Sequence, residues 1–211
     1  MTGILFDLDG TLIESISDLV TAVNKTMVHY GYRERTREEV RMAIGSGVRR
    51  LIGDLLPELD EDSLSEVIET YRGYYAGCCQ EQTKPYDGIV EALRQLQEKY
   101  PVAIVSNKPD PAVKLLCKEY FGDKVFALGE ATDCPRKPAP DMLYKAMKHI
   151  GVDRCVYVGD SDVDVQTAKN AGMPCLSVLW GYRDRACIEE AGGTTFCDNT
   201  AKLVEMLEEM I

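Results

Sequence analysis

The segment Ile4-Leu5-Phe6-Asp7-Leu8-Asp9-Gly10-Thr11-Leu12 constrains the fold more than any other part of the 211-residue chain. Three apolar residues run into two acids one residue apart, and a glycine and a threonine then break the run. Such a pattern reads as a buried strand that delivers carboxylates to its C-terminal end. In open parallel α/β sheets that edge is where ligands bind. Asp7 and Asp9 would share one face if the strand continued, while a turn at Gly10 can fold the second acid over the first. Two carboxylates held close in a partly dry site can divide labour, one ionised and the other carrying a proton. Alternatively they gather a hard cation such as Mg²⁺, which takes oxygen ligands and one or two protein carboxylates. An ordinary strand with a solvated acidic turn shows the same local pattern, so the rest of the chain has to decide.

From Lys84 onward apolar runs alternate with helical patterns, the signature of a parallel sheet covered on both faces. Residues 89–99 read as an amphipathic helix, and Val102-Ala103-Ile104-Val105 reads as a strand ending in Ser106-Asn107-Lys108. A helix over 110–120, a short strand near 125–128 and the segment Arg136-Lys137-Pro138-Ala139-Pro140 follow. Pro138 fixes the backbone after Lys137 and Pro140 suits the first turn of a helix, which sets the lysine just outside a helix start. Cys155-Val156-Tyr157-Val158 is the next strand, closed by Gly159-Asp160-Ser161-Asp162-Val163-Asp164. If a helix opens at Val163, Asp160 and Asp164 can face one point, and Asp162 is a charge at the helix N-terminus. A strand over 175–179, a helix over 184–191, a strand near 194–197 and a helix over 199–210 complete the chain.

Between Glu14 and Thr83 no strand-like run occurs. Ile16, Leu19, Val20 and Val23 recur at helical spacing, and helical segments follow near 36–43, 47–55 and 62–77. The fold class is therefore α/β: a doubly wound parallel sheet, Rossmann-like, of residues 1–13 and 84–211, with a helical-bundle cap of residues 14–83 inserted after the first strand. Within the insert, the loop Ile44-Gly45-Ser46-Gly47-Val48-Arg49-Arg50 could hold a substrate anion through Gly47, Arg49 and Arg50, or could be a helix start with solvent-facing arginines. Tyr71, Tyr74 and Tyr75 are expected to pack a helix face.

The net charge of −11 argues against nucleic acid as a partner, because phosphate neutralisation needs a basic face. No run reaches the roughly 18 apolar residues of a membrane span, and no basic segment leads into an apolar core at the N-terminus, so a cytoplasmic protein without membrane contact is expected. The 8 cysteines are scattered, without metal-knuckle or disulfide spacing, and are expected to be reduced and mostly buried.

Three strands thus end in polar groups. Asp7 and Asp9 offer a nucleophile and an acid/base, Asp160 and Asp164 offer metal ligation, and Ser106, Asn107 and Lys137 offer hydrogen bonds and charge for phosphate oxygens. A carboxylate is repelled by a dianionic phosphoester unless a cation and a lysine offset the charge. Asp7-Leu8-Asp9-Gly10-Thr11-Leu12, Ser106-Asn107, Lys137-Pro138-Ala139-Pro140 and Gly159 to Asp164 resemble, in order, the four motifs of the haloacid dehalogenase-like hydrolases. The resemblance covers essentially the whole chain, and the cap placement with Val178-Leu179-Trp180-Gly181-Tyr182 is most similar to the phosphoglycolate phosphatase group.

The resemblance implies hydrolysis of a small phosphorylated metabolite through an aspartyl-phosphate on Asp7. Asp9 would protonate the leaving alkoxide and then activate water; Mg²⁺ would bind the Asp7 carboxylate, the Asp9 carbonyl and Asp160, with Asp164 as a further or water-mediated ligand. Ser106 and the Asn107 backbone would hold the phosphoryl group, Lys137 would bridge it to Asp7, and Thr11 would fix the turn that positions Asp9. Phosphoglycolate is the leading substrate. Pyrophosphate, a nucleotide or a sugar phosphate, a β-phosphoglucomutase-like reaction and a non-catalytic binding role on the same scaffold stay open, as do monomer and homodimer. Departures from relatives narrow the chemistry: dehalogenases lack the acid at Asp9, phosphonate-cleaving relatives depend on a cap lysine where only Lys25 occurs between Glu14 and Thr83, and mutases carry a histidine near Asp18 to Val20. A receiver-type signalling domain would lack the insert.

Overall fold

The computed structural model describes residues 2–131 and 134–211. The chain opens with β1 (Thr2–Phe6) and the short β2 (Ile13–Glu14), then enters four helices, α1 (Ile16–His29), α2 (Arg37–Ala43), α3 (Val48–Leu55) and α4 (Glu61–Cys78). It returns through β3 (Lys84–Pro85) and continues as α5 (Ile89–Lys99), β4 (Val102–Pro109), α6 (Asp110–Phe121), β5 (Phe126–Glu130) and α7 (Asp141–Ile150). The last units are β6 (Arg154–Gly159), α8 (Asp162–Ala171), β7 (Cys175–Val178), α9 (Arg185–Glu190), β8 (Phe196–Cys197) and α10 (Leu203–Met210).

Six strands form one sheet in the order β5-β4-β1-β6-β7-β8, with every pairing parallel. β1 lies at the centre, so the chain builds outward on one side through β4 and β5 and then on the other from β6. The reversal beside β1 is a topological switch point, where the strand ends open a crevice. The central strands carry apolar runs, Ile4 to Phe6, Val102 to Val105 and Val156 to Val158, because both faces of the sheet are covered. Side-chain alternation sends Ile4 and Phe6 to one face, where they pack with Leu93, Leu96, Leu116 and Leu207 of α5, α6 and α10. Leu5 faces the other way and packs with Met142, Leu143, Ala146 and Ala168 of α7 and α8.

β4 is longer than the apolar run alone predicts. Its backbone stays extended through Ser106, Asn107 and Lys108, and Pro109 still pairs with Glu130 after an irregularity in register. The polar residues therefore sit on the strand and not in the loop after it. The predicted last helix also begins differently, as a 3₁₀ turn over Thr200–Lys202 before α10. The cysteines form no disulfide. Among the described residues no helix is long and apolar enough to cross a membrane.

The helical insert has its own apolar cluster, in which Leu19, Val23 and Met27 of α1 meet Val40, Ile52, Ile68, Tyr71 and Tyr75. Helix starts follow local chemistry: Thr36 and Glu39 make a reciprocal capping box on α2, and Asp60 caps α4 by accepting from the Ser63 N–H. The insert is joined to the sheet by two chain crossings, which pair as an antiparallel ribbon, Ile13 opposite Pro85 and Glu14 opposite Lys84. Behind the ribbon, Asp18 is fully buried. Its carboxylate accepts from the Gln82 N–H at 3.0 Å, the Thr83 N–H at 2.8 Å and the Thr83 hydroxyl at 2.7 Å. The Thr83 carbonyl in turn accepts from Tyr120 Oη at 2.6 Å, which ties the crossing to α6. Asp18→Ala would leave these donors unpaired at a buried position and is expected to cost ~2–4 kcal/mol of stability. Urea unfolding checks this, and a loss below about 1 kcal/mol would show that water replaces the carboxylate.

Candidate active site

The C-terminal ends of β1, β4 and β6 converge beside the switch point. β1 delivers Asp7, whose N–H is held by the Val158 carbonyl at 2.8 Å. β6 delivers Asp160, and Asp164 stands one turn into α8. One carboxylate oxygen from each of Asp7, Asp160 and Asp164 lies within 4.8 Å of the others, and all three residues are buried. A single ammonium reaches into this group: Lys137 Nζ lies 2.7 Å from Asp7 Oδ1, 2.7 Å from Asp164 Oδ1 and 2.9 Å from the Tyr157 hydroxyl.

Burial is the main force on these groups. It pushes the Asp7 carboxyl up to about 7, against the pull of Lys137 and with the Asp164 charge adding to the rise. Asp160 is raised as well, by burial first and then by Asp164 and Asp7. Burial works against the Lys137 ammonium, yet Asp164 and Asp7 outweigh it and hold it above its ordinary value, so the lysine stays charged. Three carboxylates around one ammonium leave an excess of negative charge in a dry place. An all-oxygen, acidic donor set of this kind suits a hard divalent cation.

The glycines of the motifs have steric reasons. Gly10 has φ +88°, and a Cβ there would collide with the Asp160 carboxylate, as would one at Gly181. The turn it permits lets Thr11 Oγ1 donate to Asp160 Oδ1 at 3.3 Å, and the Trp180 indole N–H donates to the Thr11 carbonyl at 3.0 Å. Trp180 thereby anchors the turn that follows the two acids to the segment after β7.

Asp9 faces away from the Asp7 cluster. Its carboxylate accepts from Lys108 Nζ at 2.7 and 3.0 Å and from the Ser15 hydroxyl in a short hydrogen bond. Ser15 also engages the Tyr182 hydroxyl, at 2.9 Å through its N–H and 3.1 Å through its side chain. The Tyr182 N–H donates to Asp160 Oδ2 at 2.7 Å. Asp9, Ser15, Tyr182 and Asp160 therefore form one continuous network. Next to it, Arg183 donates to the Arg41 carbonyl at 2.7 Å, Met42 at 3.1 Å and Ile44 at 2.6 Å, which caps the C-terminal end of α2. Arg41 returns a hydrogen bond to the Tyr182 carbonyl.

The pocket above these groups is lined by Asp7, Asp9, Ser106, Asn107, Lys137 and Asp160 from the sheet side, and by Leu19, Gly47, Val48, Leu51, Tyr71 and Tyr75 from the insert. Ser106 is buried at the β4 end and accepts from the Lys108 N–H at 3.2 Å. The Asn107 side chain is committed to backbone: it accepts from the Lys137 N–H at 2.8 Å and donates to the Lys137 carbonyl at 2.9 Å and the Gly45 carbonyl at 3.0 Å. Asp164 accepts at Oδ2 from the Ser161 hydroxyl at 2.6 Å and from the Asp160 and Ser161 N–H groups, both at 3.2 Å, so both its oxygens are already engaged by protein donors.

Two expectations need correction. Arg49 and Arg50 do not line the pocket; they pair at the surface with Glu61 and Asp54, because α3 turns its apolar face inward and both arginines outward. Tyr71 and Tyr75 pack a helix face as expected but also wall the pocket. The residues that sequence reasoning gave no role are Ser15, Lys108, Tyr157, Tyr182 and Arg183. Lys108 alone carried a signal, as the third polar residue at the end of an apolar run; the partners of the others come from distant segments. Asp162, expected as a helix-start charge, also pairs with Arg183 at 3.4 Å.

The family model of the haloacid dehalogenase-like hydrolases matches residues 4–178. A phosphoglycolate phosphatase of Xylella fastidiosa is 36% identical over 185 residues, 85% of this chain and 81% of that protein. One from Aquifex aeolicus is 35% identical over 190 residues, 86% of each chain. The crystal structure of a candidate phosphoglycolate phosphatase from Lactobacillus delbrueckii subsp. bulgaricus superposes with a TM-score of 0.91 at 34% identity, over 98% of both chains. The chain belongs to the haloacid dehalogenase-like hydrolase family, as one of its phosphatases.

Proposed function

We propose that the chain hydrolyses phosphoglycolate, or a phosphate monoester of similar size, with Mg²⁺ and through an aspartyl-phosphate on Asp7. The observation that carries this reading is the contrast between two acids one residue apart. Asp7 is buried among Asp160, Asp164 and Lys137, whereas Asp9, also lining the pocket, has Lys108 and Ser15 as its direct partners. Similarity to relatives named phosphoglycolate phosphatase supports phosphoglycolate as the substrate.

Asp7 and Asp160 would hold the ion with the Asp9 carbonyl, and Asp164 would support them through the loop it organises. The bound ion would neutralise charge on the carboxylates and on the phosphate oxygens that approach them. Asp7 attacks phosphorus in line; the bond from its oxygen to phosphorus forms as the ester P–O bond breaks. Asp9 passes a proton to the departing alkoxide. It then accepts a proton from the water that attacks the aspartyl-phosphate, which releases inorganic phosphate and restores Asp7. Lys137 holds Asp7 in orientation and faces the negative charge that gathers between carboxylate and phosphate. Ser106 and the Asn107 N–H would take phosphate oxygens, while the Asn107 side chain holds the backbone of Lys137 in place. We assign residues 14–83 as a cap that excludes water, with Gly47, Tyr71 and Tyr75 toward the substrate.

Phosphate release from a panel of phosphoglycolate, pyrophosphate and sugar phosphates tests the reading. Turnover should require Mg²⁺, be led by phosphoglycolate, and fall at least about a thousandfold in Asp7→Asn and about 10²–10⁴-fold in Asp9→Asn. Another leading substrate would keep the chemistry and replace the substrate; no turnover by folded protein with Mg²⁺ would reject the reading.

The raised Asp7 carboxyl also has a consequence for stability. Between pH 3.8 and about 7 the folded Asp7 retains a proton that the unfolded chain has released, so in chelator its contribution is full below that window and is lost as pH rises through it. A divalent cation needs the ionised form, so its stabilising effect should grow over the same range. The rise in Tm on adding Mg²⁺ is therefore expected to be larger at pH 8 than at pH 5, and much smaller at both in Asp7→Asn. A pH-independent shift would contradict this.

A further inference from the structure

We propose that Lys108 and Tyr75 form a subsite for a carboxylate on the leaving group, which selects short phosphoesters bearing a carboxylate on the carbon next to the ester oxygen. The proposal rests on the phosphatase reading with Asp9 as proton donor, and it assigns the residues that recognise the part of the substrate that is not phosphate.

Three cations line the pocket, Lys108, Lys137 and Arg183. Lys137 is committed to Asp7 and Asp164, and Arg183 to the carbonyls at the end of α2 and to Asp162. Lys108 stands apart. Its side chain is 3% exposed, its ammonium is 2.7 Å from Asp9 Oδ1, and it lies 4.7 Å from the centroid of the Tyr75 ring. An ammonium has three donors and the Asp9 carboxylate takes two of them, which leaves one for a ligand. Lys137 already bridges two carboxylates in the same pocket, so one more anion beside Lys108 repeats an arrangement the site tolerates.

Tyr75 supplies the independent observation. It is 3% exposed and its hydroxyl has no hydrogen-bond partner, although it belongs to a residue that lines the pocket. A buried hydroxyl left unpaired is costly, and a bound polar group that accepts from it removes the cost. Leu19, Val48 and Leu51 of the insert, which also line the pocket, carry no hydrogen-bonding side chain for sugar hydroxyls or a base.

The position follows from the chemistry. The ester oxygen must come within hydrogen-bond reach of Asp9 to receive its proton. In a glycolate ester the carboxylate carbon lies two bonds beyond that oxygen, roughly 2.4 Å away. A carboxylate so tethered to Asp9 falls next to the group that Asp9 already touches, the Lys108 ammonium.

The test compares 2-phosphoglycolate with 2-hydroxyethyl phosphate, which replaces the carboxylate by an alcohol. In Lys108→Met the ratio of kcat/KM values should fall about tenfold or more, and in Tyr75→Phe about threefold, with Lys108→Arg retaining most of the preference. Tyr75→Phe removes only an unpaired hydroxyl, so it should fold at least as stably as the parent and keep the test informative if Lys108→Met does not fold. Equal losses on both substrates in Lys108→Met would make Lys108 a positioning residue for Asp9 and overturn the proposal. Calorimetric binding of 3-phosphonopropionate and propylphosphonate to Asp7→Asn protein gives a readout without turnover. Tighter binding of the carboxylated ligand, lost when Lys108→Met is added, supports the subsite even if no phosphoester is hydrolysed and the phosphatase reading fails; equal binding of the two overturns the subsite even if phosphatase activity is present.

Discussion

The Lys137 ammonium, buried between Asp7, Asp164 and the Tyr157 hydroxyl, is the contact on which the rest of the site depends. A charge removed from water is tolerated only when its partners are close and its remaining donors are satisfied, and losing one partner leaves the other uncompensated. Lys137 has three donors and three acceptors around it. Its backbone is fixed on both sides of the peptide by Asn107, so β4 and the start of α7 move together. Asp164 in turn gathers the N–H groups that follow β6. One lysine thereby locks three strand ends into a single geometry.

The same site is coupled to the helical insert by more than its covalent crossings. Ser15, at the entrance to α1, touches Asp9 on one side and Tyr182 on the other, and Tyr182 reaches Asp160 through its backbone. Arg183 satisfies carbonyls at the end of α2 that the helix itself leaves unpaired. Asn107 spans the gap to Gly45. Any movement of the insert away from the sheet must break these polar contacts, all of which water can replace. From the sheet side, Tyr182 joins the buried apolar cluster of the insert and Ala112 of α6 packs against it. The division is physically sensible: each body keeps its own apolar core, and the seam between them is mainly polar and reversible.

Within the pocket, the charged groups are segregated from the apolar ones. The acidic cluster with Lys137 and the pair Asp9 and Lys108 come from the sheet side. Aromatic and aliphatic residues of the insert line the opposite side. A net charge of −11 on the chain leaves an anionic substrate dependent on these local cations. The two lysines are both almost fully withdrawn from solvent, so their fields are only weakly screened.

Much of this was written in the linear chain. Apolar runs ending in Asp7, Ser106 and Asp160 located the strands and the edge they share, because the pattern of burial and the point where it stops are local properties. The proline-flanked Lys137 and the helical texture between Glu14 and Thr83 were legible for the same reason. What the sequence could not decide was which distant groups meet. The pairing of Lys108 with Asp9, the path from Ser15 through Tyr182 to Asp160, and the capping of α2 by Arg183 join segments 99, 167 and 139 to 142 residues apart. The outward turn of Arg49 and Arg50 depends on a helix phase that their neighbours in the loop do not reveal. Strand ends and helix starts follow from chemistry between near neighbours, whereas the partners of a buried charge are chosen only when the sheet and the insert close around it.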